Sequence, residues 1–154
     1  MEALKILLAI EDYEGDIPDL KRDCQQGVLT PHPILISVDD GPYRLPEKTA
    51  AVVIVKGKGV IEVRDRLIIV INEVYFVPQG VEAVCEAEQD LKLYVFLRND
   101  CSLLADKKDE EYWRVAEQYQ REVIGIQDIH QLHSKKTVLP SLSEMKRQLA
   151  LLSN

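Results

Sequence analysis

The chain has 154 residues, a length at which one domain is expected and a core can form without disulfides or a structural metal. Its formal net charge of −7 disfavours direct binding to nucleic acid or to an anionic membrane. The three cysteines are odd in number and lack metal-ligand spacing, which is typical of a chain kept in a reducing compartment. We therefore expect a soluble, cytoplasmic protein with no membrane partner.

The first 33 residues are expected to be an N-terminal segment that leads into the sheet. Their short apolar run lacks the basic start and the small-residue cleavage site of a signal peptide. A polar turn is predicted at 14–16 and a short helix after Pro18. Pro31 and Pro33 then force an extended backbone that leads into a strand over 34–38. His32, between the two prolines, is interpreted as a loop histidine rather than a base or a ligand.

Residues 34–100 are predicted to form a β-barrel. From Ala50 to Leu97 the chain shows short β-branched and aromatic runs, each closed by a turn signal, which is typical of a meander of strands. The turns at 57–59 and 64–66 predict hairpins between strands that are neighbours in sequence. Pro78-Gln79-Gly80 predicts a corner, because proline cannot donate to a ladder and glycine can turn the chain.

The mouth of this barrel is where we expect a ligand. Tyr43 and Arg44 place an aromatic ring beside a guanidinium, a pair that suits a carboxylate or a polyol; the alternative is a surface arginine that stacks on its neighbour. We predict that the pocket opens near these two residues and the strand bearing Tyr75, with Tyr94 as a further candidate. The preceding acids, Asp39 and Asp40, are interpreted as turn formers rather than as a calcium or catalytic site. No catalytic residue is predicted.

After Leu97 the apolar period changes from two to 3.6, which predicts a C-terminal helical region over 101–154 that packs on the barrel. Asp109 to Ile124 reads as an amphipathic helix with Trp113 on its apolar stripe, capped by Asp109 or an earlier residue. Residues 126–132 fit either a strand or a helical turn. His130 and His133 have the spacing of a helical metal pair, but no third ligand is nearby.

The last helix is predicted to begin at Ser141, which forms a capping box with Glu144. An apolar stripe follows at heptad-like spacing and packs either on its own barrel or on a second copy of the chain. We predict a homodimer, because the stripe is capped, regular and more apolar than the outside of a small barrel needs. The residues expected at that interface are Leu142, Met145, Leu149 and Leu152, in line with Val138.

The corner at Pro78–Gly80 carries a resemblance to a known family. The spacing from Asn72 through Pro78-x-Gly80 to Ala83 resembles the second motif of the cupin barrels, G-x5-P-x-G-x2-H-x3-N. Ala83 and Ala87 stand at the histidine and asparagine positions of that motif. Near the two histidine positions of the first cupin motif stand Glu47 and Thr49. The imidazoles of a cupin metal site are missing, so neither a metal nor another cofactor is expected.

Within the cupins, the run from Lys56 to Gly80 followed by Asp90 to Phe96 resembles the sensor domains of AraC-type bacterial transcription regulators. The resemblance covers residues 35–97. It implies a mainly β fold, a cupin-like jelly-roll barrel with C-terminal helices, that binds a small-molecule effector and dimerises. DNA would be contacted only through a helix-turn-helix domain that this chain does not contain.

The alternative is a free-standing, metal-independent cupin that acts as an isomerase or epimerase on a sugar or an organic acid. That activity requires a general acid or base inside the barrel. The three histidines fall outside the predicted strands, and Glu62 and Glu82 fit an outward face. Binding without chemistry is therefore favoured, and the sequence does not identify the ligand.

Overall fold

The computed structural model describes residues 5–7, 15–63, 66–70, 73–99, 104–124 and 138–152. The described strands form two sheets, with helices packed on them. In chain order the elements are α1 (Asp16–Gln25), β1 (Leu29–Ile36), β2 (Tyr43–Arg44), β3 (Thr49–Lys56), β4 (Gly59–Val63), β5 (Arg66–Val70), β6 (Val74–Phe76), β7 (Ala83–Ala87), β8 (Leu91–Arg98), α2 (Leu104–Tyr119), β9 (Val138–Leu139) and α3 (Leu142–Leu152). A 3-10 turn (Val38–Asp40) precedes β2, and a π-helical turn (Gln120–Ile124) follows α2.

The first sheet has four antiparallel strands in the order β1-β8-β3-β6. Its two central strands, β3 and β8, are buried along most of their length. Strand β1 begins at Leu29, earlier than predicted, and contains Pro31 and Pro33. Among the described strands it lies at the edge and pairs with β8 alone, and an edge position tolerates proline because one side of the strand needs no donor.

The second sheet has five strands in the order β2-β7-β4-β5-β9. The predicted hairpin between β4 and β5 is confirmed, with Gly59 opposite Val70 and Val63 opposite Arg66. The short strand β9 pairs with β5 in parallel, so residues after α2 complete this sheet. The N-terminal and C-terminal parts of the chain therefore both contribute strands.

The main core lies between the two sheets. It is formed by inward side chains such as Val52 of β3, Ile61 of β4 and Leu93 of β8. A second cluster covers the outer face of the first sheet, where Leu20 of α1 packs with Phe96 of β8. A third cluster surrounds Leu139 and Met145, joining α2, β9 and α3. Each sheet thus buries one face against the other, and the helices cover surfaces that remain.

The turn at 57–59 is not a hairpin turn, and that prediction was wrong. Strand β3 belongs to the first sheet and β4 to the second, so the chain crosses between sheets here. A Cβ atom on Gly57 would lie 2.1 Å from the backbone oxygen of Asp90. One on Gly59 would lie 2.4 Å from that of Glu86. The glycines are needed for close backbone approach, a requirement that looks the same in sequence as a hairpin turn.

The predicted corner at Pro78–Gly80 is confirmed. The Val81 amide donates to the Pro78 carbonyl at 3.2 Å, and Gly80 has a φ of 78°, as the third position of a type II turn requires. The interpretation of the Asp39-Asp40 pair is also confirmed for Asp40, whose carboxylate accepts from the Ser37 amide at 2.7 Å.

Helix α2 begins at Leu104, so Asp109 lies inside the helix rather than at its cap. No helix in the described part of the chain is long and apolar enough to cross a membrane. Residues 126–132, together with His130 and His133, lie outside the described residues.

The prediction of a β-rich chain with appended helices is confirmed at this coarse level. The described strands form two largely antiparallel sheets, and over the described ranges they do not close into a barrel.

Candidate functional site

A cavity of about 70 Å³ lies where the two sheets meet the helices, and we name it the junction cavity. Its walls come from the start of α1, from β4, β5 and β6, and from α2 and α3. It is partly open to solvent. The cavity is therefore the place where all layers of the fold meet.

One wall of the junction cavity is aromatic. Tyr75 and Phe76 come from β6, and Tyr112 and Trp113 come from α2. The rings of Tyr112 and Trp113 have centroids 5.2 Å apart and planes at 86°, an edge-to-face arrangement. The Tyr112 hydroxyl donates to the Pro140 carbonyl at 3.1 Å. Burial, with smaller effects of Tyr75 and Tyr119, raises the pKa of Tyr112.

Carboxylates on the wall hold neighbouring side chains in place. The Trp113 indole Nε1 donates to Asp109 Oδ1 at 2.7 Å, a bond between residues four apart on α2. The Ser143 hydroxyl, at the start of α3, donates to Glu73 Oε1 at 2.5 Å. The first bond fixes the indole, and the second joins α3 to the residue before β6.

An ion-pair chain links the three helices beside the cavity. Lys108 Nζ of α2 lies 2.7 Å from Asp16 Oδ1 of α1 and 3.5 Å from Glu111 Oε2. Lys146 Nζ of α3 lies 2.6 Å from Glu111 Oε1. Each lysine therefore lies beside a carboxylate on another helix.

These contacts shift the pKa values of two groups in the ion-pair chain. Burial opposes the charge on Lys108, but the hydrogen bond and charge of Asp16, together with Glu111, outweigh it and raise the pKa of that ammonium. The hydrogen bond from Lys146 is the main cause that lowers the pKa of Glu111, although burial acts against it. Both groups are charged at neutral pH.

The structure does not bring the four predicted ligand residues together. Tyr75 lines the junction cavity. Tyr43 and Arg44 lie on β2 at the edge of the second sheet. Arg44 Nε is 3.0 Å from Glu82 Oε1, and the side chains of Arg44 and Glu82 are mostly exposed. Tyr94 is buried in the cluster between the first sheet and α1, because alternate residues of β8 point to opposite faces.

Sequence reasoning missed most of the aromatic and charged wall. Trp113 was interpreted as a core residue of an amphipathic helix, and it is half-buried against the cluster of α2 and α3 as well as lining the cavity. Glu73, Lys108 and Tyr112 gave no signal, because the contacts between β6, α2 and α3 join segments far apart in the chain. The one available signal was Trp113, on the helix face predicted to meet the sheet.

A second, wider groove lies at the opposite, β2 side of the fold, with a volume of about 670 Å³. Arg44 and the largely buried Arg98 line it, and Arg98 Nη2 donates to the Val77 carbonyl at 2.6 Å. Glu47 and Ala83, which stand near cupin ligand positions, also line this groove. Within the described ranges, no three His, Cys, Asp or Glu side chains lie close enough together to hold a metal ion.

The four residues predicted at a dimer interface differ in exposure. Met145 is 0% exposed and packs against Leu139 of its own chain. Leu142 and Leu149 are partly buried in the same cluster. Leu152 is 59% exposed, beside Leu151, which is 60% exposed. The apolar stripe of α3 is thus seated on its own chain, except for its last turn.

Comparisons of the chain with protein-family models, with curated proteins and with solved structures gave no match.

Proposed function

We propose that this chain is the ligand-sensing domain of an AraC-type transcription regulator, with a metal-free, cupin-like jelly roll formed by its two sheets. The observation that carries the proposal is the junction cavity, whose wall includes both sheets and the helices α1, α2 and α3. A small molecule in this cavity touches α3 through Leu142 and Ser143. The binding of that molecule is then coupled to the position of α3.

The coupling has a physical basis in the size of the cavity. At about 70 Å³ the space equals roughly two water molecules, so a larger effector must move part of the wall. The α3 part of the wall is held to β6 by the bond between Ser143 and Glu73. An effector that binds one position of α3 more tightly shifts the population of α3 toward that position.

The signal leaves the domain through α3. A second copy of the chain is proposed to contact the last turn of this helix, where Leu151 and Leu152 are exposed. DNA binding belongs to a helix-turn-helix domain outside this chain. Such a two-fold arrangement lets a small shift of α3 change the spacing of two DNA-binding units.

Ligand binding can be tested with the fluorescence of Trp113, because it is the single tryptophan of the chain and it lines the cavity. We expect a saturable change in its emission for one member of a panel of small sugars, organic acids and amines. The variant Val74→Phe, which fills the cavity wall, should abolish the change. Val84→Phe, on β7 outside the cavity, should keep it. Equal responses in both variants would contradict binding in this cavity.

Sensing, as distinct from binding, requires α3 to respond. We expect the ligand found in this way to change amide hydrogen exchange in α3 beyond the residues that touch the cavity. A ligand that changes Trp113 emission but leaves exchange in α3 unaltered would contradict the sensing role.

A further inference from the structure

We propose that the junction cavity selects an organic cation, a quaternary ammonium or a protonated amine, as its ligand; this inference rests on the proposed ligand-binding function. Among the residues that the structure describes, three carboxylates and one ammonium line the cavity. The carboxylates belong to Asp16, Glu73 and Asp109, and the ammonium to Lys108. The wall therefore has an excess of negative charge, and a cationic ligand complements it.

The ammonium of Lys108, the cation that the described part of the wall contains, is committed to other contacts. Lys108 Nζ lies 2.7 Å from Asp16 and 3.5 Å from Glu111, and its side chain is mostly buried. An anionic ligand would have to compete with both carboxylates for this ammonium. Glu73, in contrast, accepts a hydrogen bond from the neutral hydroxyl of Ser143, which leaves its negative charge intact.

The aromatic side chains add a second attraction for the same class of ligand. The rings of Tyr112 and Trp113 stand at 86° to each other, so they form a corner rather than a flat wall. Tyr75 lines the cavity as well. The electron-rich faces of such rings attract alkylammonium groups, and tryptophan does so best. Carboxylates and aromatic rings together favour a cation over a neutral group of equal shape.

The size of the cavity limits the part of the ligand that enters. At about 70 Å³ the cavity takes a small alkylammonium head only if part of the wall moves, and the opening to solvent leaves room for the remainder of the molecule. A compact head with a short arm is therefore the form to test. Choline has this form, and 3,3-dimethyl-1-butanol has the same shape without the charge.

The test measures Trp113 emission during titrations with choline and with 3,3-dimethyl-1-butanol at physiological ionic strength. We expect choline to bind about tenfold more tightly than the alcohol, the ratio that a desolvated cation–π and carboxylate contact gives. Equal or tighter binding of the alcohol would overturn the selection of a cation while leaving ligand binding in place. Lack of response to both probes would also overturn it, and the broader panel decides the proposed function separately.

A pair of variants tests the role of charge directly. Glu73→Gln keeps the shape and still accepts from Ser143, so we expect it to lower choline affinity about tenfold and to leave binding of the alcohol unchanged. Glu86→Gln, an exposed residue of β7 away from the cavity, removes the same charge and should change neither. Equal weakening of both ligands by Glu73→Gln would mean that Glu73 only shapes the cavity, and would overturn the inference. Far-ultraviolet circular dichroism confirms that each variant is folded.

Discussion

Gly57 and Gly59 stand where the chain crosses from the first sheet to the second. Gly57 has a φ of 94°, and a Cβ atom there would meet the backbone of Asp90. The Lys58 carbonyl between them accepts from the amides of Glu88 and Gln89 at 2.8 and 2.9 Å. The crossover is therefore held against the turn that joins β7 to β8.

This geometry predicts that a methyl group added at Gly57 lowers the free energy of unfolding more than one added at Gly80. Gly80 also has a positive φ, but a Cβ atom there would meet nothing within 4 Å. We expect Gly80→Ala to lower the free energy of unfolding by about 1–2 kcal/mol through backbone strain alone. Gly57→Ala should cost about 1–3 kcal/mol more, because the methyl group meets backbone. Urea denaturation of both variants measures the difference, and equal losses would contradict the close approach.

One contact of Trp113 could be predicted from the sequence, and another could not. Its place on an apolar helical stripe was correctly interpreted as a face packed on the fold. Its hydrogen bond to Asp109 was missed, because the helix was predicted from Asp109 onward, with Asp109 or an earlier residue as its cap, whereas α2 begins at Leu104. Helix boundaries are set by tertiary packing as much as by capping signals, and an error of one turn moves a residue to a new role.

At the scale of elements, α3 is tied to the fold by both apolar and polar contacts. Met145 is buried in the cluster with Leu139, and the Ser141 hydroxyl accepts from the Glu144 amide at 3.3 Å. The Glu144 side chain accepts from Gln148 Nε2 at 2.9 Å, so only the Ser141 half of the predicted capping box is seen. The predicted start of the helix is thus confirmed in position.

Two substitutions can distinguish the buried part of the apolar stripe of α3 from its exposed end. We expect Met145→Ala to lower the free energy of unfolding by about 2–5 kcal/mol, because it removes a fully buried side chain. Leu152→Ala, at the exposed end of the same helix, should change it by about 0.5 kcal/mol or less. Thermal or urea unfolding gives both values. Both values apply at concentrations where sedimentation equilibrium shows a monomer, and a comparable loss at Leu152 there would mean that the last turn is buried within its own chain.

The ion-pair chain across α1, α2 and α3 makes stability depend on pH. Because the pKa of Glu111 is lowered from its ordinary 4.5 in the folded protein, the folded state binds this proton less tightly than the unfolded state does. The stabilisation is complete above pH 4.5 and is lost as pH falls through the lower, folded value.

We therefore expect Glu111→Gln to lower the free energy of unfolding by about 1–2 kcal/mol at pH 7. The difference from the parent should shrink as the pH falls below 4.5. Glu117→Gln, an exposed change on the same helix, serves as the control and should have little effect at either pH. If the free energy of unfolding of Glu111→Gln stays below that of the parent by the same amount down to pH 3, the charge of Glu111 does not cause the loss.

For the whole molecule, the two central strands of the first sheet define its most stable part. Strands β3 and β8 each have partners on both sides, and their side chains are buried toward both clusters. Strand β9, in contrast, is two residues long and pairs on one side. Local stability should follow this order.

Amide hydrogen exchange tests the order. We expect the slowest exchange in β3 and β8, and exchange in β9 and the last turn of α3 faster by orders of magnitude. Residues of β1 serve as an internal comparison, because that strand lies on the edge of the same sheet. Protection of β9 equal to that of β3 would mean that the C-terminal segment unfolds only with the entire fold.

Features that depend on contacts between neighbours in the chain could be predicted from this sequence, and features that depend on contacts between distant segments could not. The β4-β5 hairpin and the corner at Gly80 depend on neighbours in the chain, and both were predicted. The crossover at Gly57, the start of β1 at Leu29 and the pairing of β5 with β9 depend on distant segments, and none was predicted. Of the cavity residues only Tyr75 was predicted to bind a ligand, because a cavity between elements leaves no periodic pattern in any one of them.

The parallel pairing of β9 with β5 also sets an order of events during synthesis. Within the described residues β1 pairs with β8 alone, so the first sheet cannot be complete until the ribosome has released about residue 98. The edge of β5 and one side of the junction cavity need residues that are made later still, 138–143. A nascent chain can therefore complete the first sheet before the residues that finish the junction cavity have been made.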